Sequence, residues 1–355
     1  IYTALRFLPW VQPRLAHEPD RAAQLIAWLA PELKDTSAYR AALLAGWPSV
    51  PATLAEKAAL LREHLGGHFD PAALLPAWLR HECPAAFAPP HLDALLARAP
   101  LWVRLQTADP AMVLDEFRRR GWDTRPSSDL PEAFALPPNA EVAGSDAYRR
   151  GFVEIQDLGS QLVLAHAPVA PGQIWLDACA GAGGKSLQLA HAVGQSGRVD
   201  ATDIRPAMLD ELRDRAARAR LKNVRIAPIV DGTAYDGVLV DAPCSGTGVW
   251  RRLPHMKWHT RPEMLPPFAA AQLGILSARS TRVKPGGLLV YATCSLTRTE
   301  NHGVAAAFAA AHPEFAPVQP ARAFGGVFDG LGTTLLPGVR DSDGFYVAVF
   351  RRRGA

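Results

Sequence analysis

Between residues 1 and 97, apolar positions recur at the three-to-four spacing of helices, most clearly in Ala22–Leu33, Leu54–Leu65 and Pro71–Arg80. Proline-containing breaks at Pro48–Pro51 and Cys83–Pro90 separate them. The pattern changes at residue 98. Leu101–Leu105 alternates like a strand, Ala111–Arg120 has helical spacing, and Ala133–Leu136 is a second short strand. From residue 151 onward, strands and helices take turns. Strands are expected at Ile174–Ala178, Arg198–Asp203, Val224–Ile229, Gly237–Asp241, Gly287–Thr293 and 345–350, and helices at Ser186–Val193, Pro206–Arg220 and Pro267–Thr281. Repeated β–α units predict an α/β fold with a mostly parallel, doubly wound sheet. The domains read from this pattern are a helical segment, 1–97, a small α+β module, 98–150, and a catalytic sheet domain, 151–355.

Composition narrows the classes. With 48% hydrophobic and 20% charged residues over 355 positions, the chain is globular rather than disordered. Its four cysteines, Cys83, Cys179, Cys244 and Cys294, contain no CxxC or CxxH spacing, so neither a disulfide scaffold nor a metal site is expected. No apolar run reaches the roughly 20 residues of a membrane span. Arg6 and Pro9 break the first apolar stretch, which argues against a secretion signal. The first residue is Ile1, so the chain is expected to begin inside a longer protein. The expected setting is a reducing, cytoplasmic one.

Net charge is only +4 but unevenly placed: Cys244–Arg298 carries eight arginine and lysine residues against Glu263 alone. Trp250 and Trp258 interleave with them, and cations among flat rings suit a nucleic acid. Arg251, Arg252 and Lys257 are the candidate nucleic-acid contacts, RNA-binding if the partner is RNA, with a solvated surface as the alternative.

Ligands of doubly wound sheets bind at the carboxyl ends of strands. The first such strand runs into Asp177-Ala178-Cys179-Ala180-Gly181-Ala182-Gly183-Gly184-Lys185-Ser186. A phosphate-binding P-loop would need glycine where Cys179 stands, and a dinucleotide fingerprint would need it at Ser186. The second strand ends at Asp203, placed to accept the ribose hydroxyls of an adenosine moiety in either NAD or S-adenosylmethionine. Asp231 follows the third strand, as a cofactor ligand or a turn residue. The fourth ends in Asp241-Ala242-Pro243-Cys244 and the fifth in Thr293-Cys294-Ser295.

Two cysteines at strand ends, with an acid and an adenosine-type site, suit methyl transfer to C5 of a pyrimidine. That carbon is a poor nucleophile until a thiolate adds to C6. An acid at N3 assists addition, and a base removes the C5 proton afterwards. An NAD-linked oxidoreductase accounts for Asp203 and the glycines but leaves both cysteines idle. A non-catalytic RNA-binding assembly factor has no need of Cys294, Cys244 and Asp241.

From about Leu75 to the C-terminus the chain resembles the Sun/Fmu-type RNA cytosine-C5 methyltransferases, above all the bacterial 16S ribosomal RNA members. The residues that carry the resemblance are Asp241–Gly248 with the continuation Trp250–Trp258, Tyr291–Asn301, Trp102-Val103-Arg104, Val153–Gln161, the glycine-rich turn and Gly344–Val349. The resemblance implies a Rossmann-like catalytic domain that binds S-adenosylmethionine through Cys179, Ala180, Gly181, Ala182, Gly183, Gly184, Lys185, Asp203, Asp231 and Asp241. It implies Cys294 as the nucleophile and Cys244 as the residue assisting product release, with Asp241 and Lys185 near the base. Gly181-Ala182 stands where the family usually has Ala-Pro. Ribosomal RNA is the first expected target and tRNA the second, with a ribosomal subunit or assembly intermediate as a possible partner and a monomer as the expected state.

Overall fold

The computed structural model describes residues 1–31, 36–226 and 234–354. The chain divides into two compact units, Ile1–Ala99 with Val249–Pro262, and Pro100–Gly248 with Glu263–Ala355.

The first unit is helical, with helices Tyr2–Arg6, Leu8–Leu15, Pro19–Leu29, Ser37–Leu43, Leu54–Leu65 and Pro89–Leu96. Leu54–Leu65 starts from a Thr53/Glu56 capping box, which satisfies two otherwise orphaned N–H groups. The expected helix over Pro71–Arg80 is instead a 3₁₀ turn, Pro71–Leu74, followed by a short helix, Leu79–Glu82. Pro76 is the reason: it has no N–H to donate and holds Leu75 in an extended conformation. Trp10, Trp28, Leu61 and Phe69 are buried in this unit.

The second unit contains two sheets. The smaller has β1 (Leu101–Leu105), β2 (Arg125–Pro126), β3 (Ala133–Leu136) and β4 (Val153–Ile155), in the order β2-β3-β1-β4. Helix Pro110–Arg119 lies between β1 and β2 in the chain, its first turn capped by the Asp109 carboxylate on Met112 N–H. β2 and β4 are too short for an alternating pattern to reveal.

The larger sheet holds β5 (Ile174–Asp177), β6 (Arg198–Ala201), β7 (Val224–Ile226), β8 (Tyr235–Asp241), β9 (Val283–Thr293), β10 (Phe315–Pro317), β11 (Val327–Phe328), β12 (Gly332–Leu335) and β13 (Phe345–Arg352). Its order is β11-β12-β13-β9-β8-β5-β6-β7, with β10 paired to β13. The strands from β9 through β7 are parallel, and β10 to β13 add antiparallel pairs. Alternate residues face opposite layers. Trp175, Leu239, Val290 and Val347 join one core with helices Leu158–Ala165 and Gly184–Val193. Leu176, Val238, Tyr291 and Tyr346 join another with helices Leu265–Ser280 and His302–Ala311. The chain runs from β5 outward to β7, then returns to place β8 on the other side of β5. That reversal opens a crevice at the carboxyl ends of β5 and β8, where the candidate residues lie.

Candidate active site

The turn after β5 is built by glycine. Gly183 has φ 90°, and a Cβ there would come within 2.1 Å of a Leu212 methyl. It caps helix Gly184–Val193, whose first N–H groups give the turn a partial positive charge. Ala180 N–H donates to Thr202 O and Gly183 N–H to Ala180 O, which ties the turn to the end of β6.

This turn lines a cleft of about 590 Å³ with Asp177, Asp203, Asp241, Cys244 and Ser160 among its other walls. Cys179, Ala180, Gly181, Ala182, Gly183, Gly184 and Lys185 all line it, so the expected turn residues converge on one space. Asp231 lies outside the described residues.

Asp203 accepts the Gly181 N–H at 2.9 Å and hydrogen bonds from Arg205 N and Nε, both at 2.9 Å. The Arg205 guanidinium holds the Asp203 carboxyl below the usual carboxylate range. Asp177, at the end of β5, accepts Ser186 Oγ at 2.6 Å, while burial raises its carboxyl to about 6. Burial, with Asp177, Asp241 and Asp203 nearby, pushes the Cys179 thiol up to about 12, so at neutral pH it is protonated and a poor nucleophile.

Lys185 Nζ donates to Asp241 Oδ2 at 2.7 Å and to Ser160 Oγ at 2.9 Å, and lies 5.0 Å from the centre of the Phe345 ring. It thereby crosses from the helix after β5 to the end of β8.

The two expected catalytic cysteines, 50 positions apart in the chain, meet: Cys244 Sγ is 3.4 Å from Cys294 Sγ. Gly248 allows the approach. Its N–H donates to Cys294 O at 2.9 Å, and a Cβ there would stand 2.2 Å from Gly344 O. The hydrogen bond with Cys294, then burial, holds the Cys244 thiol well above the usual range. Cys244 is therefore held as a neutral thiol at neutral pH.

Arg251 and Lys257 do not form the expected cationic surface. They are 1% and 3% exposed, and belong to the first unit rather than the sheet. Lys257 Nζ donates to Arg6 O at 2.8 Å, and Arg6 Nη2 to Arg251 O at 2.8 Å, so these residues pin the segment to the first helix. Burial, with Arg6 beside it, lowers the Lys257 ammonium to about 7. Arg252 is half-buried.

Sequence reasoning missed Ser160 and Glu300, although both lie inside stretches that carry the family resemblance. Neither a lone serine nor a lone glutamate has a spacing that marks it. Ile204, beside Asp203 on the cleft wall, is 94% exposed, a large apolar side chain without cover.

The profile described as 16S rRNA methyltransferase RsmB/F matches residues 163–351, from the helix before β5 to the last strand. Ribosomal RNA small subunit methyltransferase B of Xylella fastidiosa (strain 9a5c) is 35% identical over 78% of this chain and 68% of its own length. The probable ribosomal RNA small subunit methyltransferase B of Bacillus subtilis (strain 168) is 34% identical over 72% of this chain and 60% of its own. The chain thus spans about 60–68% of the length of these relatives. In fold it is similar to NSun6 from Pyrococcus horikoshii, solved with SFG, at a TM-score of 0.67 and 17% identity over 75% of this chain and 94% of that one. The profile match over more than half the chain, with relatives above 30% identity, places this protein in the RsmB/F family of 16S rRNA methyltransferases.

Proposed function

We propose that this chain transfers a methyl group from S-adenosylmethionine to C5 of a cytosine in ribosomal RNA, through a covalent bond between Cys294 and C6. The observation that carries the reading is the 3.4 Å approach of Cys244 to Cys294, with Cys244 lining the glycine-turn cleft.

The cleft fits the cofactor. Asp177 Oδ1 is buried there without a hydrogen-bond partner, and a cationic ligand bearing an ammonium and a sulfonium satisfies such an oxygen. The turn Cys179–Lys185 would hold it from the backbone, with Asp203 at the ribose and Asp241 at its inner end. When bound, S-adenosylmethionine supplies an electrophilic methyl group.

The protein residues handle the base. Cys294 Sγ adds to C6 and turns C5 into a nucleophile. Asp241, which accepts a hydrogen bond from Lys185 Nζ at 2.7 Å, would with that lysine serve N3 during the addition. Once C5 is substituted, its proton leaves to a base, the electron pair re-forms the ring double bond, and the C6–S bond breaks. The sulfur departs as a thiolate, and the Cys244 thiol beside it donates a hydrogen bond to that charge.

The substrate reading includes a ribosomal subunit or assembly intermediate as the form in which RNA is met, action as a monomer, and a cytoplasmic location. Among the described residues, no helix is long and apolar enough to cross a membrane. Bisulfite sequencing of RNA from cells with and without the gene tests the target. Loss of one protected cytosine in 16S ribosomal RNA is the expected result, and loss in tRNA alone redirects the substrate.

A further inference from the structure

Glu300 is fully buried in the turn after β9, and its carboxylate accepts five hydrogen bonds. Oε1 takes the Ser245 N–H at 2.8 Å and Gln272 Nε2 at 3.0 Å. Oε2 takes the hydroxyls of Ser295 at 2.7 Å, Thr297 at 2.8 Å, and Ser245. Ser245 follows Cys244 and Ser295 follows Cys294. One carboxylate is thus bonded to the residue next to each cysteine. Gln272 reinforces the arrangement by donating to Pro243 O, just before Cys244, at 2.9 Å.

A fully buried carboxylate is costly unless its lone pairs are satisfied, and a neutral side chain packs two loops at less cost. The charge therefore calls for a use beyond packing. Facing Cys244 are Cys294, the Tyr291 phenol and Glu300, while the cleft it lines also holds Asp177, Cys179, Lys185, Asp203 and Asp241. The negative charge of Glu300 adds to the hydrogen bond from Cys294 and to burial in keeping the proton on Cys244.

We propose that Glu300 is the positioning residue of the cysteine pair: its carboxylate clamps the Cys244 loop to the Cys294 loop and sets which of the two sulfurs is free to react. This inference rests on the assignment of attack to Cys294 and release to Cys244.

The test is alkylation of the full chain by iodoacetamide at about pH 8, where thiolates and not thiols react, with each cysteine peptide quantified by mass spectrometry. Wild type should react at Cys294 in preference to Cys244. Glu300→Gln keeps the shape: its Oε1 retains both N–H donors, and two of the three hydroxyls turn to accept the two N–H bonds of the amide, the third turning to a neighbouring hydroxyl. Without the charge, alkylation of Cys244 relative to Cys294 should rise about tenfold. Thr297→Val, which removes one donor at nearly constant volume, should shift the ratio the same way by less, and it decides the matter if Glu300→Gln does not fold. An unchanged ratio in the folded variants overturns the clamp. The reaction scheme is read separately, from the RNA-linked adduct of Cys244→Ala on 16S ribosomal RNA transcript. If that adduct is missing while the ratio shifts, the scheme fails and the clamp stands. If the adduct forms and the ratio does not move, the clamp alone fails.

Discussion

Lys185 Nζ lies 2.7 Å from Asp241 Oδ2, so one ion pair joins the helix that opens at the glycine turn to the end of the strand that leads into Cys244. The lysine side chain is 8% exposed and the aspartate 29%, enough burial for loss of one partner to be felt. In a double-mutant cycle, Lys185→Met and Asp241→Asn should show a coupling of about 1–3 kcal/mol in urea unfolding. Additive effects would mean that the pair forms no energetic bridge.

The cysteines should separate by what accumulates. With 16S ribosomal RNA transcript, Cys244→Ala should add to the base, transfer the methyl group and stall. Denaturing gels should show an RNA-linked protein band. Cys294→Ala should show neither band nor methylation, yet still bind the cofactor. A band with Cys294→Ala instead reverses the roles.

Asp203 holds the turn through Gly181 N–H as well as presenting a carboxylate to a ribose. Asp203→Ala should weaken S-adenosylmethionine binding by roughly 1.5–3 kcal/mol in calorimetry, the scale of a charged hydrogen bond. NAD should give no heat with the wild type. Unchanged affinity in the variant would remove Asp203 from the site.

Asp177 predicts a pH dependence in the ligand-free protein. Its carboxyl titrates at about 6 when folded, against 3.8 for an unperturbed aspartate. Between those values the folded state binds more protons than the unfolded state, so this group's contribution falls as pH rises from about 4 to about 6 and stays lost above. Asp177→Asn should therefore gain on wild type above pH 6, on the order of 3 kcal/mol, and lose the advantage below pH 4. Equal profiles for the two proteins would refute this.

Lys257 should behave as a structural residue. Its folded value of about 7 lies below the ordinary 10.5, so its ammonium destabilises the fold below pH 7 and that penalty fades as pH rises toward 10.5. Lys257→Met should show its largest relative stability at pH 6. It should also leave the slope of log K for RNA against log salt unchanged, whereas a lost phosphate contact would reduce it by about 0.7–0.9. A reduced slope would return Lys257 to the RNA surface.

The sequence alone determined the elements whose information is local. Alternation at β1, the short apolar runs at β5 and β8, helical spacing in Leu54–Leu65, and the glycines between Gly181 and Gly184 each follow from residues near in the chain. The strand-end positions of Asp203, Asp241, Cys244 and Cys294 were legible for the same reason, and the family resemblance supplied the roles proposed for them. Tertiary structure decided what depends on segments meeting. It brought Cys244 to 3.4 Å from Cys294, joined Lys185 to Asp241, and enclosed Glu300 among hydroxyls from two loops. It also buried Arg251 and Lys257 against the first helix, where a stretch of cations had looked like surface. Charge is counted along the chain, but burial and hydrogen bonding are set by neighbours as far as 253 positions away, and no local pattern encodes which neighbours those are.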